Sequence, residues 1–191
     1  MGMLGVYMGI EEEDLQKLIN MENDDIIETL EELECDIYNI DKLWDGLHFL
    51  LTGNASSNSS ENNKLSEAIV GIHNVSKDVD FITNIINNEL PKIIKTQESV
   101  SIDKAEDMDY ISYIQNNELP GIIKAMEDVN INELKETFEP LLFKKNKIYP
   151  KIWEENKKDI LFDELIQEFN GLLNFYKQSF EKGLNIIFSI Y

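Results

Sequence analysis

His48 is the residue best suited to chemistry in this chain of 191 residues. Asp45 precedes it by three positions and Asp41 by seven, so on a helix the three share a face. A carboxylate that orients an imidazole is one design for a general base. Trp44 stands one helical turn before His48, and Tyr7, Trp44, Tyr149 and Trp153 offer aromatic walls for a small-molecule pocket around His48 and Asp45. The structural alternative places His48 at the edge of the core, with Trp44 against it and one ring nitrogen hydrogen-bonded. That alternative weighs more, because buried polar groups are usually just satisfied, and the same aromatics serve as core and loop anchors. The other histidine, His73, is remote in sequence, so zinc would need ligands gathered from elsewhere and no metal site is expected.

Other chemistries find less support. No nucleophile elbow, P-loop or dinucleotide fingerprint is present, and Gly2, Gly5 and Gly9 have the wrong spacing to cradle a phosphate. No cofactor is expected. Cys35 is the only cysteine, so the fold does not depend on an internal disulfide. Its neighbours Glu34 and Asp36 raise a thiol pKa by like-charge repulsion, which marks it as a structural or surface residue.

The formal net charge is −20. Such a field repels nucleic-acid phosphates and anionic membrane surfaces, and it attracts a basic protein. Much of the excess lies between Glu11 and Glu34, where Lys17 is the only base and Glu28, Glu31, Glu32 and Glu34 form the outer face of a helix. The expected function is therefore a non-catalytic protein-interaction module with this acidic face, in the manner of an immunity-type inhibitor of a basic toxin. The alternative is a small-molecule enzyme or binding domain centred on His48, Asp45 and Trp44. The N-terminus has no basic region or small-residue cleavage site, and no apolar run approaches a membrane span, so a cytoplasmic protein is expected. Asn54, Asn58 and Asn74 begin glycosylation triplets that carry little meaning in that setting.

The elements that must position these residues follow from periodicity. Apolar residues make up 42% of the chain, enough for one core, and the length suits one domain over 1–191. Met3 to Met8 reads as a buried strand whose glycines permit a bulge. Helices follow at Glu11 to Asn20 and Asp24 to Leu33. The best-marked helix runs from Asp41, as N-cap, to Thr52, with Gly53 as its stop. Residues 53–64 (GNASSNSSENNK) read as a flexible surface loop, and Leu65 to Ile72 as a short strand or turn. A helix is expected from Asn132 to Phe138, then a break near Pro140. Lys144, Lys145 and Lys147 form the one basic cluster, before an aromatic loop at 148–153. A long helix from Asp159 to Lys182 carries the stripe Leu161, Leu165, Ile166, Phe169, Leu172, Leu173, Tyr176 and Phe180. Gly183 ends it, and Leu184 to Tyr191 closes the chain as a strand paired with the N-terminal one. The class is α+β, mostly helical around a small sheet.

Ser76 to Ile102 aligns without gaps on Ala105 to Ile131, an offset of 29 residues with more than half of the positions identical. Each copy reads as an extended piece followed by a helix, with Asn88 and Asn117 as N-caps and Pro91 and Pro120 inside the first turn. Two copies fall short of a solenoid and indicate a local tandem duplication, with the second helix beside the first.

MGMLGVY at the start, DIYNIDKLWDGLHFLLTG at 36–53, SEAIVG at 66–71, IYPKIW at 148–153 and the closing helix and strand resemble the bacterial YfbM-like family. The likeness spans nearly the whole chain, and W-D-x-L-H-F-x-L-T-G is its most specific part. The family is a domain of unknown function. The resemblance implies a fold and a bacterial cytoplasmic setting, and no activity. It also implies one strand–helix unit where this chain carries two, so contacts around Ser76 to Ile102 do not carry over.

Overall fold

The computed structural model describes residues 3–21, 23–56, 63–75 and 110–190. The first repeat copy, the opening residues of the second and residues 57–62 of the expected loop lie outside these. In chain order the elements are β1 (Gly5–Ile10), α1 (Glu12–Asn20), α2 (Asn23–Glu32), β2 (Asp36–Asp41), α3 (Trp44–Thr52), α4 (Lys64–Val70), β3 (His73–Asn74), β4 (Tyr110–Ile114), α5 (Leu119–Glu127), α6 (Ile131–Thr137), α7 (Pro140–Lys145), α8 (Lys158–Lys182) and β5 (Asn185–Ile190).

The strands form one sheet in the order β2-β1-β5-β4-β3, with every neighbouring pair antiparallel. β1 and β5, the two ends of the chain, pair over Gly5–Ile10 and Asn185–Ile190, as expected. All six residues of β1 are buried because both faces of the sheet are covered. On one face Tyr7, Ile186 and Phe188 meet α3, α4, α5 and α8. On the other, Val6, Met8, Ile10 and Ile187 meet Leu15 and Leu18 of α1 and Ile26 and Leu30 of α2. The alternation is the period of two of a strand. The register shifts between Gly5 and Val6, the bulge that the glycines permit.

The short helix α4 is the hub that joins sheet and helices. Its last carbonyls have no partner within the helix. Tyr176 of α8 donates to Ala68 O at 2.5 Å, Tyr7 of β1 to Ile69 O at 2.9 Å, and Tyr110 and Ser112 of β4 to Val70 O at 2.9 and 2.6 Å. Three tyrosines from three elements thus satisfy one buried helix end. Burial drives the Tyr7 and Tyr176 phenols far above their ordinary pKa, so they stay donors.

Several sequence expectations are corrected. Asp41 does not cap α3. It ends β2 in the left-handed region at φ 52, exposed, and its N–H donates to Asn39 Oδ1. Asp is among the few residues that tolerate that backbone, so the chain turns there and α3 begins only at Trp44. Leu65 to Ile72 is helix, not strand or turn: Asn63 Oδ1 accepts from Leu65 N and Ser66 N, and this cap overrides the β-branched Ile69 and Val70. Asn63 and Lys64 therefore leave the expected loop. Asn117 is not an N-cap either. A capping box between Gln115 and Glu118 closes a 3-10 turn over Asn116–Glu118, and α5 follows with Pro120 in its first turn. In α8, Phe180 is 42% exposed, whereas Phe162 and Phe175, outside the expected stripe, are buried.

Candidate functional site

α3 has an αL stop at Gly53, φ 71, whose N–H returns to Phe49 O. Its first five residues, Trp44 to His48, are all buried. His48 is fully buried and both its ring nitrogens are bonded. Nδ1 lies 2.9 Å from Asn54 O, a carbonyl, so it carries the proton and donates. Nε2 then accepts from the Ser66 hydroxyl at 2.8 Å. Burial lowers the His48 pKa, against opposing contributions from the Asn54 carbonyl and the Asp45 charge. The ring is a neutral bridge between the end of α3 and the start of α4.

Asp45 is likewise engaged. Oδ1 accepts from Ser56 Oγ at 2.7 Å and Ser56 N at 3.3 Å, and Oδ2 accepts from Tyr149 N at 2.8 Å. The carboxylate clasps the chain after α3 to the loop at 148–153, and its hydrogen bonds go there rather than to His48. Asp41 points into solvent at the end of β2, so the three residues that share a face on an ideal helix are dispersed here.

The aromatics converge, as core. Trp44 lies with ring centroids 6.4 Å from both Tyr149 and Phe188, and Tyr7 stacks on Phe188 at 4.7 Å. Trp153 donates from Nε1 to Ile148 O at 2.8 Å and rests on Phe143 at 4.5 Å. Gly46 makes room for it: a Cβ there would come within 2.5 Å of the indole. Trp44 Nε1 is buried without a hydrogen-bond partner, so packing alone holds that indole, whereas Asp45 and His48 are held by hydrogen bonds. Phe49 meets Phe143 edge-on, and Thr52 Oγ1 donates to the His48 carbonyl at 2.8 Å. Tyr7, Trp44, Asp45, His48, Tyr149 and Trp153 come together, but none lines either cavity described below.

Those two cavities lie elsewhere. A groove of about 310 Å³ runs between α5 and α8, floored by Pro120, Ile123 and Phe180 and crossed by the Lys177–Glu127 ion pair at 2.7 Å. A larger cleft of about 730 Å³ opens at the end of the sheet where β1 passes into α1 and β2 begins. Glu11, Asp14, Glu34 and Asp36 line it, with Lys182 paired to Asp36 and Cys35 at its side. Burial, then the Asp36 charge, raises the Cys35 thiol pKa, the direction expected from its acidic neighbours. The cleft adjoins the acidic face. Glu28, Glu31, Glu32 and Glu34 are all exposed on and after α2, and Glu12 and Glu13 are exposed on α1, where Lys17 meets Asp14 and Glu13 at 3.0 and 3.6 Å. Sequence reasoning found that face and missed the cleft, whose one local signal was Gly9 at the end of a strand before an acidic run. Among the described residues no group of histidine, cysteine and carboxylate side chains could hold a metal ion, and no helix is long and apolar enough to cross a membrane.

Comparison with known proteins agrees with the fold. Protein YfbM of Escherichia coli (strain K12) is 26% identical over 189 residues, covering 96% of this chain and 95% of that one. The crystal structure of YfbM from Escherichia coli, described as a protein of unknown function, superposes with a TM-score of 0.75 at 24% identity, covering 98% of this chain and 99% of that one. The model of one family, a domain of unknown function (DUF1877), matches residues 1–106 and 82–189, and the chain belongs to that family.

Proposed function

We propose that this protein is a non-catalytic protein-interaction module whose acidic α1–α2 face receives a basic protein, as an immunity-type inhibitor receives its toxin. The observation that carries the reading is the exposed row Glu28, Glu31, Glu32 and Glu34 beside Glu12 and Glu13, with Lys17 the only base between Glu11 and Glu34. Carboxylates held in water are poor catalysts and effective steering groups, because their field speeds encounter with a cationic partner and weakens with salt. The alternative, an enzyme built on His48, loses ground on geometry: a general base needs a free nitrogen within reach of substrate, and both nitrogens of His48 are taken inside the core.

The test is capture from a lysate of the source cell on immobilised protein. At low salt a basic protein should be retained and at about 0.5 M salt released, since the Debye length falls below roughly 5 Å. The quadruple variant Glu28→Lys, Glu31→Lys, Glu32→Lys, Glu34→Lys should retain none. Capture of only neutral or acidic proteins, or capture indifferent to the quadruple variant, would overturn the reading.

A further inference from the structure

β4 and α5, which come from the second repeat copy, fill a slot with definite requirements. β4 lies between β5 and β3, and the sheet order leaves one such place. Ile111 and Ile114 of β4 and Leu119, Ile122 and Met126 of α5 are buried. Between the two elements Asn116 ties the unit to the end of α8: its N–H donates to Asn185 Oδ1 and its Nδ2 to Leu184 O, both at 2.9 Å. Glu118 accepts from Gln115 N–H at 2.9 Å and lies 2.9 Å from His73 Nε2. The Ser112 hydroxyl donates to Val70 O at the end of α4.

The amino-acid sequence of the first copy meets nearly all of these requirements. At the offset of 29 the apolar anchors recur as Ile82, Ile85, Leu90 and Ile93. Asn87 stands where Asn116 does, Glu89 where Glu118 does, and Thr83 keeps the hydroxyl of Ser112. Three differences weaken the first copy. Phe81 lacks the Tyr110 hydroxyl that donates to Val70 O, and Ile86 lacks the Gln115 amide that completes the capping box. Gln97 would bury an amide where Met126 is 1% exposed. The chain also reaches. In the described pairing His73 faces Tyr113 and Asn74 faces Ser112. The same register on the first copy sets Asn74 against Thr83 and Ser76 against Phe81, which leaves residues 77–80 as a hairpin loop of ordinary length. Residues 99–130 would then join the first copy's helix to α6, a link nearly as long as residues 76–109, which join β3 to β4 now. Closure cost grows only with the logarithm of length, so it favours neither arrangement. The first stretch matched by the family model, residues 1–106, runs through the first copy and ends before β4.

We propose that the two copies compete for this one slot, so that the chain has two folded arrangements: the described one, with the second copy docked, and a minor one with the first copy between β5 and β3. Only one asparagine at a time can bond Asn185 and Leu184, so docking of one copy releases the other. The three weakening differences set which arrangement dominates, as a small free-energy gap sets the population of any minor state. This stands independently of the interaction reading above.

Amide hydrogen exchange of the full chain, read by mass spectrometry over residues 81–97 and 110–126, tests the exchange. In the native chain 110–126 should exchange slowly and 81–97 fast. Ile114→Asp with Leu119→Asp puts carboxylates at two buried positions of the second copy. That variant should stay folded, and its slow exchange should move to 81–97, at least tenfold slower there than in the native chain. The mirror variant, Ile85→Asp with Leu90→Asp, should leave 110–126 as slow as before. All four substitutions together should remove slow exchange from both copies. A repaired chain, with Phe81→Tyr, Ile86→Gln and Gln97→Met, adds no charge and leaves the second copy intact. It should exchange several-fold more slowly at 81–97 and several-fold faster at 110–126. Slow exchange of both copies in the native chain would mean two separate sites and overturn the proposal. So would an Ile114→Asp, Leu119→Asp chain in which 81–97 gains no slow exchange, or a mirror variant that speeds 110–126. A repaired chain that behaves like the native one, or gains at 81–97 with no matching loss at 110–126, would equally overturn it.

Discussion

At the α3 end of the molecule, Asp45 and His48 direct their hydrogen-bonding atoms at the chain itself, to Ser56, Tyr149, Asn54 and Ser66. At the α1–α2 end, Glu28, Glu31, Glu32 and Glu34 stand in solvent. Both regions are rich in groups that do chemistry elsewhere. The difference teaches that residue type alone does not mark a site. A carboxylate or imidazole whose bonds are satisfied internally holds the fold, and a carboxylate held in solvent is available to a partner.

The comparison can be broken most sharply by substitution. Trp153→Ala removes an indole packed on Phe143 and bonded to Ile148, and denaturant unfolding should show a loss of about 3–5 kcal/mol. Gly46→Ala would improve helix propensity in isolation, yet its Cβ would meet that indole at 2.5 Å. The same measurement should show a net loss of about 1–3 kcal/mol, and any gain in stability would show that α3 is not clasped as described. Tyr176→Phe leaves the Ala68 carbonyl buried without its donor and should cost about 1 kcal/mol, with a larger loss when combined with Tyr7→Phe.

A pH experiment sharpens the contrast further. His48 titrates below the ordinary value of 6.5 in the folded state. The unfolded chain therefore binds the proton first as pH falls. The contribution is fully present above about pH 6.5 and is lost as pH drops toward the folded pKa. Thermal unfolding between about pH 7.5 and 5.5 should show this fall, and His48→Gln should flatten it. An unchanged slope in that variant would mean that His48 is not the buried neutral group. The smallest effect belongs to the other end: Glu31→Lys with Glu32→Lys should shift the melting temperature by no more than about 1–2 °C. A large shift there would mean that the acidic face is structural after all.

Legibility in the sequence followed the range of the interaction. The end of α3 was readable because Gly53 alone supplies the left-handed stop, and its start was misread because Asp41 suits an N-cap and a left-handed strand end equally well. α4 was misread because two β-branched residues outweighed a cap that one asparagine provides. The acidic face was readable because solvent-facing charges need only local helical spacing.

The amino-acid sequence by itself determined the pairing of the two end strands, the sheet's alternation, the long closing helix and the acidic surface. Each rests on a period of two or 3.6 residues, or on a backbone that few residues adopt. The tertiary structure alone decided what His48 bonds to, which tyrosines close α4, and that Lys182 meets Asp36 across 146 residues of chain beside Gly9 and Ser179. The physical reason is that a donor's partner is fixed by whichever carbonyl, carboxylate or hydroxyl the rest of the fold leaves open nearby, and no local rule of spacing carries that information.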